Sequence, residues 1–130
     1  AQHGVVMVTE DRKKDGLLLS RPIRENMVLN QFSLKPTSER PQIRTWWGGV
    51  RPKKEAGVVE DTCRRLWIRC RSIEQPVGEL SGGNQQKVIL ARWLLHGAKV
   101  FLLDEPTRGV DIGSRQQIYD ILQELKKSGK

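Results

Sequence analysis

Ser81-Gly82-Gly83 and Asp104-Glu105 are the residues of this chain whose types and spacing could do chemistry. Serine caps a helix by accepting from its first free N–H groups, and two glycines behind it let backbone donors approach a ligand without side-chain clash. A helix N-terminus built this way favours an anion such as a phosphate. The two carboxylates follow an apolar run, Val100 to Leu103. They emerge at the C-terminal edge of what reads as a strand, which is where open α/β sheets place their ligands.

The elements that must position these groups can be read in outline. The helix behind Ser81 carries Val88, Leu90, Ala91, Leu94 and Leu95 as a broad apolar face, and Gly97 stands where a left-handed terminating residue is wanted. Val100 to Leu103 is short and uniformly apolar, which predicts a central strand of a parallel sheet, buried on both faces. Val5 to Val8 reads as a second buried strand, running into a polar loop, Thr9 to Gly16. Pro22 suits a first helical turn and Ser20 a cap, so Arg21 to Asn30 is expected to be a short helix burying Ile23, Met27 and Val28. Lys35 to Lys54 has three prolines, two glycines and no sustained period, and reads as loop. Its Trp46 and Trp47, beside Arg44 and Arg51, either anchor the loop to a helical core or stack on bases. Glu55 to Ile68 returns to helical spacing through Val59, Cys63, Leu66 and Trp67, with Arg64, Arg65, Arg69 and Arg71 as its solvated side. Near the C-terminus, Ser114 is placed to cap a helix in which Ile118, Ile121, Leu122 and Leu125 recur at the 3.6-residue period, with Lys126 and Lys127 at its negative end and Gly129 as a stop.

Composition narrows the function. The chain has 130 residues, 29% of them charged, and a formal charge of +8. That is room for one domain. No apolar run approaches the ~20 residues of a membrane span. The N-terminus lacks the basic start and longer apolar block of a secretion signal, so a cytosolic setting is expected. Cys63 and Cys70 are not in a CxxC arrangement and the histidines lie far from them, which leaves free thiols as the expectation and supports no zinc site.

LSGGNQQK (80–87) resembles the signature motif of ATP-binding cassette (ABC) ATPases. VFLLDEPT (100–107) and the following RGVD (108–111) resemble that family's Walker B strand and D-loop, in the family's order. TEDRKKDGLLL (9–19) is similar to the Q-loop region of the second cassette in bacterial carbohydrate importers of the ribose and galactoside type, with Glu10 where glutamine usually stands. The resemblance implies an α/β fold, a fragment of a P-loop NTPase-like ABC cassette. Residues 5–16 would be the Q-loop region, 17–95 the helical subdomain with the signature, and 98–130 the Walker B strand, D-loop and following helix. The phosphate-cradling GxxxxGK[ST] pattern occurs nowhere in the sequence. In the family it would precede Ala1, and the strand with the switch residue would follow Lys130.

The resemblance also implies roles. Ser81, Gly82, Gly83 and Gln85 would serve the ATP held by a partner cassette, aiming a hydroxyl and backbone donors at its γ-phosphate. Asp104 would help hold Mg²⁺ through water, and Glu105 would orient and deprotonate the attacking water. Asp111 would belong to the dimer contact, and Glu10 would sit near the metal. The implied partners are transmembrane permease subunits, a second cassette and, indirectly, a periplasmic sugar-binding protein. The implied place is the cytoplasmic face of the inner membrane. Without the phosphate cradle, activity is not expected of these residues alone. Two other readings stay open: a truncated, non-catalytic module that presents its signature face, and a soluble nucleic-acid-associated ABC protein, which only the positive charge suggests. The Glu-Asp-Arg segment argues against the latter, and no nucleic acid is expected as a partner.

Overall fold

The helix behind Ser81 is the element onto which the others pack. The computed structural model describes residues 5–8, 16–30 and 51–129. In chain order they form β1 (Val5–Val8), α1 (Ile23–Val28), α2 (Pro52–Arg65), a 3₁₀ turn (Val77–Glu79), α3 (Gly82–Leu95), β2 (Val100–Leu103) and α4 (Ile112–Lys127). Helix α3 contacts α1, α2, α4 and β1. It is buried almost all round from Gly83 to Arg92, which is why its sequence mixes the expected apolar face with buried Gln85, Gln86 and Lys87. Ile23, Met27, Val59, Val77, Val88, Leu90 and Ile118 are all fully buried in one cluster around it. Each such side chain contributes roughly 1.5–3 kcal/mol relative to exposure. The helix ends as read, with Gly97 at φ 79° and its N–H on the Leu94 carbonyl at 2.9 Å.

The two strands pair in parallel, Val5 beside Val100 through Val8 beside Leu103. Their burial corrects the expectation of strands covered on both faces. Val6, Val8, Phe101 and Leu103 turn toward the core, whereas Val5, Met7, Val100 and Leu102 are 41%, 57%, 47% and 54% exposed. Among the described residues the helices pack on one side of this sheet only. An apolar run cannot distinguish a strand covered twice from one covered once and left bare on the other face.

Three helix starts differ from the sequence reading. Helix α1 begins at Ile23 after Pro22 and has no side-chain cap, so Ser20 does not supply one. Its first donors are instead satisfied across the fold, Ile23 N–H by the Gln75 carbonyl and Arg24 N–H by that of Ile73, both at 3.0 Å. Helix α2 begins at Pro52, three residues before the expected Glu55, because proline at the first position loses no hydrogen bond there. The rest of the expected loop, through Gly49 and Val50 with Trp46 and Trp47, lies outside the described residues. At its other end α2 stops at Arg65. Trp67 takes φ 48° and is 46% exposed, so it leaves the apolar face on which Val59, Cys63 and Leu66 remain. Helix α4 is capped by Asp111 and not by Ser114. The Asp111 carboxylate accepts from Ser114 N–H at 2.9 Å, and an ionised acceptor at the positive end of a helix outcompetes a hydroxyl.

Helices α1 and α2 are tied by Arg24, whose guanidinium bonds Glu74 at 2.7 Å and the buried Glu55 at 2.5 Å. These two carboxylates, Glu74 first, hold the Arg24 pKa above its ordinary value. The 3₁₀ turn is stitched to the segment before α1 by Val77 N–H to the Arg21 carbonyl and Gly78 N–H to the Leu19 carbonyl.

Candidate functional site

Ser81 caps α3, as its residue type predicts. Its Oγ accepts from the Asn84 backbone N–H at 3.4 Å and from Asn84 Nδ2 at 3.1 Å. Asn84 also takes the Arg69 N–H on its Oδ1 at 3.1 Å, so the capping hydroxyl is anchored to the segment that follows α2. Ser81 itself remains exposed. A hydroxyl held at a helix N-terminus and open to solvent is arranged to meet an anion.

The second glycine behind it is closely packed. A methyl group added at Gly83 would stand 2.3 Å from Ser114 Cβ and 2.5 Å from Ser114 Oγ. Gly83 thus allows α3 to approach the start of α4, a packing reason beyond the ligand access read from the sequence. We expect Gly83→Ala to cost about 1–3 kcal/mol through overpacking, since its nearest neighbours are a side-chain base and the Val110 methyl and cannot swing away. Urea unfolding of the variant checks this, and an unchanged midpoint would show that α4 yields freely.

That close approach brings Ser81 and Asp111 to one cleft of about 310 Å³, lined also by Arg69, Asn84, Lys87, Gly113, Ser114 and Gln117. Asp111 is committed to its helix. Hydrogen bonds from Ser114 hold its carboxyl below the usual aspartate value. Lys87 forms the floor. It is 1% exposed, and its Nζ donates to the Trp67 carbonyl at 2.8 Å and to Gln117 Oε1 at 2.5 Å. Burial, then the nearby Arg69 charge, lowers its pKa. Lys87 thus joins the turn after α2 to α3 and α4.

Asp104 and Glu105 lie elsewhere, exposed where β2 ends. Asp104 N–H continues the sheet by donating to the Val8 carbonyl at 3.1 Å, which fixes the pair at the sheet's C-terminal edge. Glu105 is held at φ 41°, a left-handed conformation uncommon for a residue with a side chain. Its carbonyl accepts from Arg108 N–H at 3.0 Å, and its carboxylate lies 3.7 Å from the Arg108 guanidinium. Backbone strain of this kind concentrates at functional sites.

Of the other residues singled out, Glu10 lies outside the described residues. Gln85 turns inward: it is buried, and its side-chain amide donates to the Leu80 carbonyl at 3.0 Å. It therefore braces the turn that presents Ser81. The sequence reading passed over Lys87 and Arg92 altogether. Arg92 is a buried guanidinium with no carboxylate partner among the described residues. Its Nε donates to the Asn26 carbonyl at 2.7 Å, its Nη2 to Asn26 Oδ1 at 3.0 Å, and its Nη1 to the Gly16 carbonyl. Desolvation lowers its pKa to about 10. The one available signal was position, since Lys87 and Arg92 stand on a helix whose other faces were already apolar.

Residues 2–108 match the family model described as ABC transporter. The chain is 40% identical over 128 residues to the ribose import ATP-binding protein RbsA of Geobacillus kaustophilus, and 44% identical over 126 residues to that of Bacillus subtilis. It is also 40% identical over 128 residues to the xylose import ATP-binding protein XylG of Geobacillus kaustophilus. These matches take in 97–98% of this chain but 24% of each relative, so the chain spans about a quarter of their length. Among solved structures, an ATP-binding cassette in a dimeric, post-hydrolysis state with ADP and Pi superposes with a TM-score of 0.71. That likeness covers 97% of this chain and 49% of the other at 20% identity, and it establishes the ABC cassette fold. Matched by this family's model over most of its length and by sugar-import ATP-binding relatives over nearly all of it, the chain belongs to the ABC transporter family.

Proposed function

We propose that this chain is the Q-loop, helical and Walker B portion of an ATP-binding protein that energises sugar import, most like the second cassette of a ribose-type importer. The observation that carries the reading is the division of the site. Ser81 and Asp111 share one cleft that neither Asp104 nor Glu105 lines. A cassette that lends its signature to a partner's nucleotide and keeps its Walker B carboxylates for its own needs that separation.

In this reading Ser81, Gly82 and Gly83 face the γ-phosphate of ATP bound by the second cassette, with Gln85 bracing the turn. Asp111 contributes to the contact between cassettes. Asp104, exposed at the end of β2, would hold Mg²⁺ through water. Bound Mg²⁺ would neutralise charge on the phosphates of ATP. Glu105 orients water and accepts its proton, and Glu10 stands near the metal. No helix among the described residues is long and apolar enough to cross a membrane. The proposed partners are membrane-spanning permease subunits, with the chain on their cytoplasmic face and a periplasmic sugar-binding protein acting through them.

The test is Ser81→Arg in an assembled transporter whose two cassettes are distinguishable. The bulky cation should lower turnover at the opposite nucleotide by about 10²-fold, the scale for losing one preorganised donor. ATP affinity in the cassette that carries the substitution should hardly change. Equal loss of ATP binding at both sites would defeat the reading.

A further inference from the structure

A single buried ammonium lies between the segments that hold Ser81 and Asp111. Lys87 is 1% exposed, and its Nζ donates to the Trp67 carbonyl at 2.8 Å and to Gln117 Oε1 at 2.5 Å. Both acceptors are neutral, and among the described residues no carboxylate hydrogen-bonds this cation. An apolar side chain of similar volume would fill the place without desolvating a charge, so packing alone does not account for a lysine here. Each of its bonds leads to one of the two residues that share the cleft. On one side, Trp67 is held at φ 48°, uncommon for so large a side chain, and the lysine takes up its carbonyl. Two residues on, Arg69 donates its N–H to Asn84 Oδ1 at 3.1 Å, and Asn84 Nδ2 donates to Ser81 Oγ at 3.1 Å. On the other side, Gln117 stands on α4 within two turns of Asp111, which caps that helix.

We propose that Lys87 is a positioning residue, which sets Ser81 and Asp111 at the spacing that the second cassette's nucleotide and contact surface require. The inference rests on the reading in which Ser81 serves that nucleotide. The stem of Lys87 belongs to α3, which Ser81 caps, so one Nζ fixes three segments at once: α3, the Trp67 turn and α4. A hydrogen bond between any two of them would leave the third free to shift. The action of Lys87 is indirect, through the Trp67 turn to Asn84 and through α4 to Asp111. Its charge strengthens both bonds, since hydrogen bonds from an ionised donor are about twice as strong as neutral ones.

The experiment compares Lys87→Met, Lys87→Arg and Gln117→Leu in an assembled transporter whose two cassettes are distinguishable, with Ser81→Arg beside them. Lys87→Met should lower kcat at the opposite nucleotide by about tenfold, where a full 1 Å misplacement costs ~10². KM there, and ATP affinity in the substituted cassette, should hold. Gln117→Leu removes one acceptor at a half-buried site and should act in the same direction. Should Lys87→Met fail to fold, Gln117→Leu decides alone. Lys87→Arg keeps a cation with several donors and should stay close to the unsubstituted protein. Amide exchange gives a second readout, since the Arg69 N–H should exchange faster in Lys87→Met and not in Lys87→Arg. A lysine that only stabilised the fold would lower turnover at both nucleotides together, in step with the folded fraction. That outcome would overturn the proposal, as would unchanged Arg69 exchange or a Lys87→Arg protein that behaves like Lys87→Met. If Ser81→Arg lowers opposite turnover while Lys87→Met and Gln117→Leu do not, the positioning role fails and the wider reading stands. If Ser81→Arg has no effect either, both fail.

Discussion

Glu105→Gln, in a whole ATP-binding protein that contains this chain, is expected to keep ATP bound while hydrolysis falls by about 10²–10⁴. That is a barrier increase of roughly 3–5 kcal/mol. Glutamine preserves the shape and the hydrogen-bonding reach of the side chain and removes only its capacity to take a proton. The backbone supports this choice of residue. Glu105 is held in a left-handed conformation directly after the sheet's last ladder bond, so its side chain is aimed by β2 and by the turn closed at Arg108. Asp104, one residue earlier, follows the sheet itself. Single-turnover hydrolysis and nucleotide binding, measured side by side, separate the two effects. Intact turnover would remove Glu105 from the base role, and lost binding would place it with the metal instead.

Arg92→Met is expected to destabilise the fold by about 3 kcal/mol, the range for breaking a buried polar network. The substitution retains the apolar stem of the side chain but strips donors from Asn26 O, Asn26 Oδ1 and the Gly16 carbonyl. Asn26 then keeps only its local bonds, with the Leu18 N–H on Oδ1 at 2.9 Å and Nδ2 on the Leu18 carbonyl at 3.0 Å. Removing a desolvated cation offsets part of the loss, which is why the figure is not larger. Arg92→Lys should recover little, because an ammonium cannot span three acceptors that a planar fork reaches together. Urea unfolding of both variants decides the matter. A loss below about 1 kcal/mol, the net worth of one ordinary hydrogen bond, would mean that water replaces the guanidinium.

The sequence by itself determined the two elements that matter most for function. Helix α3 was legible from end to end, because its start and stop are local events: a serine whose oxygen reaches the N–H three residues on, and a glycine that tolerates φ 79°. Strand β2 and the carboxylates beyond it were legible for the same reason, as was the apolar stripe of α4 with buried Ile118 and Ile121. Family membership followed from these motifs.

Only the tertiary structure decided the rest. The first donors of α1 are satisfied by carbonyls near residue 75, and Arg92 bonds a residue 66 positions away, partners that no periodicity encodes. The choice of Asp111 over Ser114 as cap turned on competition between two good acceptors, settled by charge at the helix end. Whether β1 and β2 were covered once or twice depended on which faces the helices reached, not on the apolar run itself. Gly83 shows the difference most sharply. Its residue type suggested ligand access, but the 2.3 Å that a Cβ would leave to Ser114 gives it a second duty, the close contact of α3 and α4 that brings Ser81 and Asp111 to one cleft.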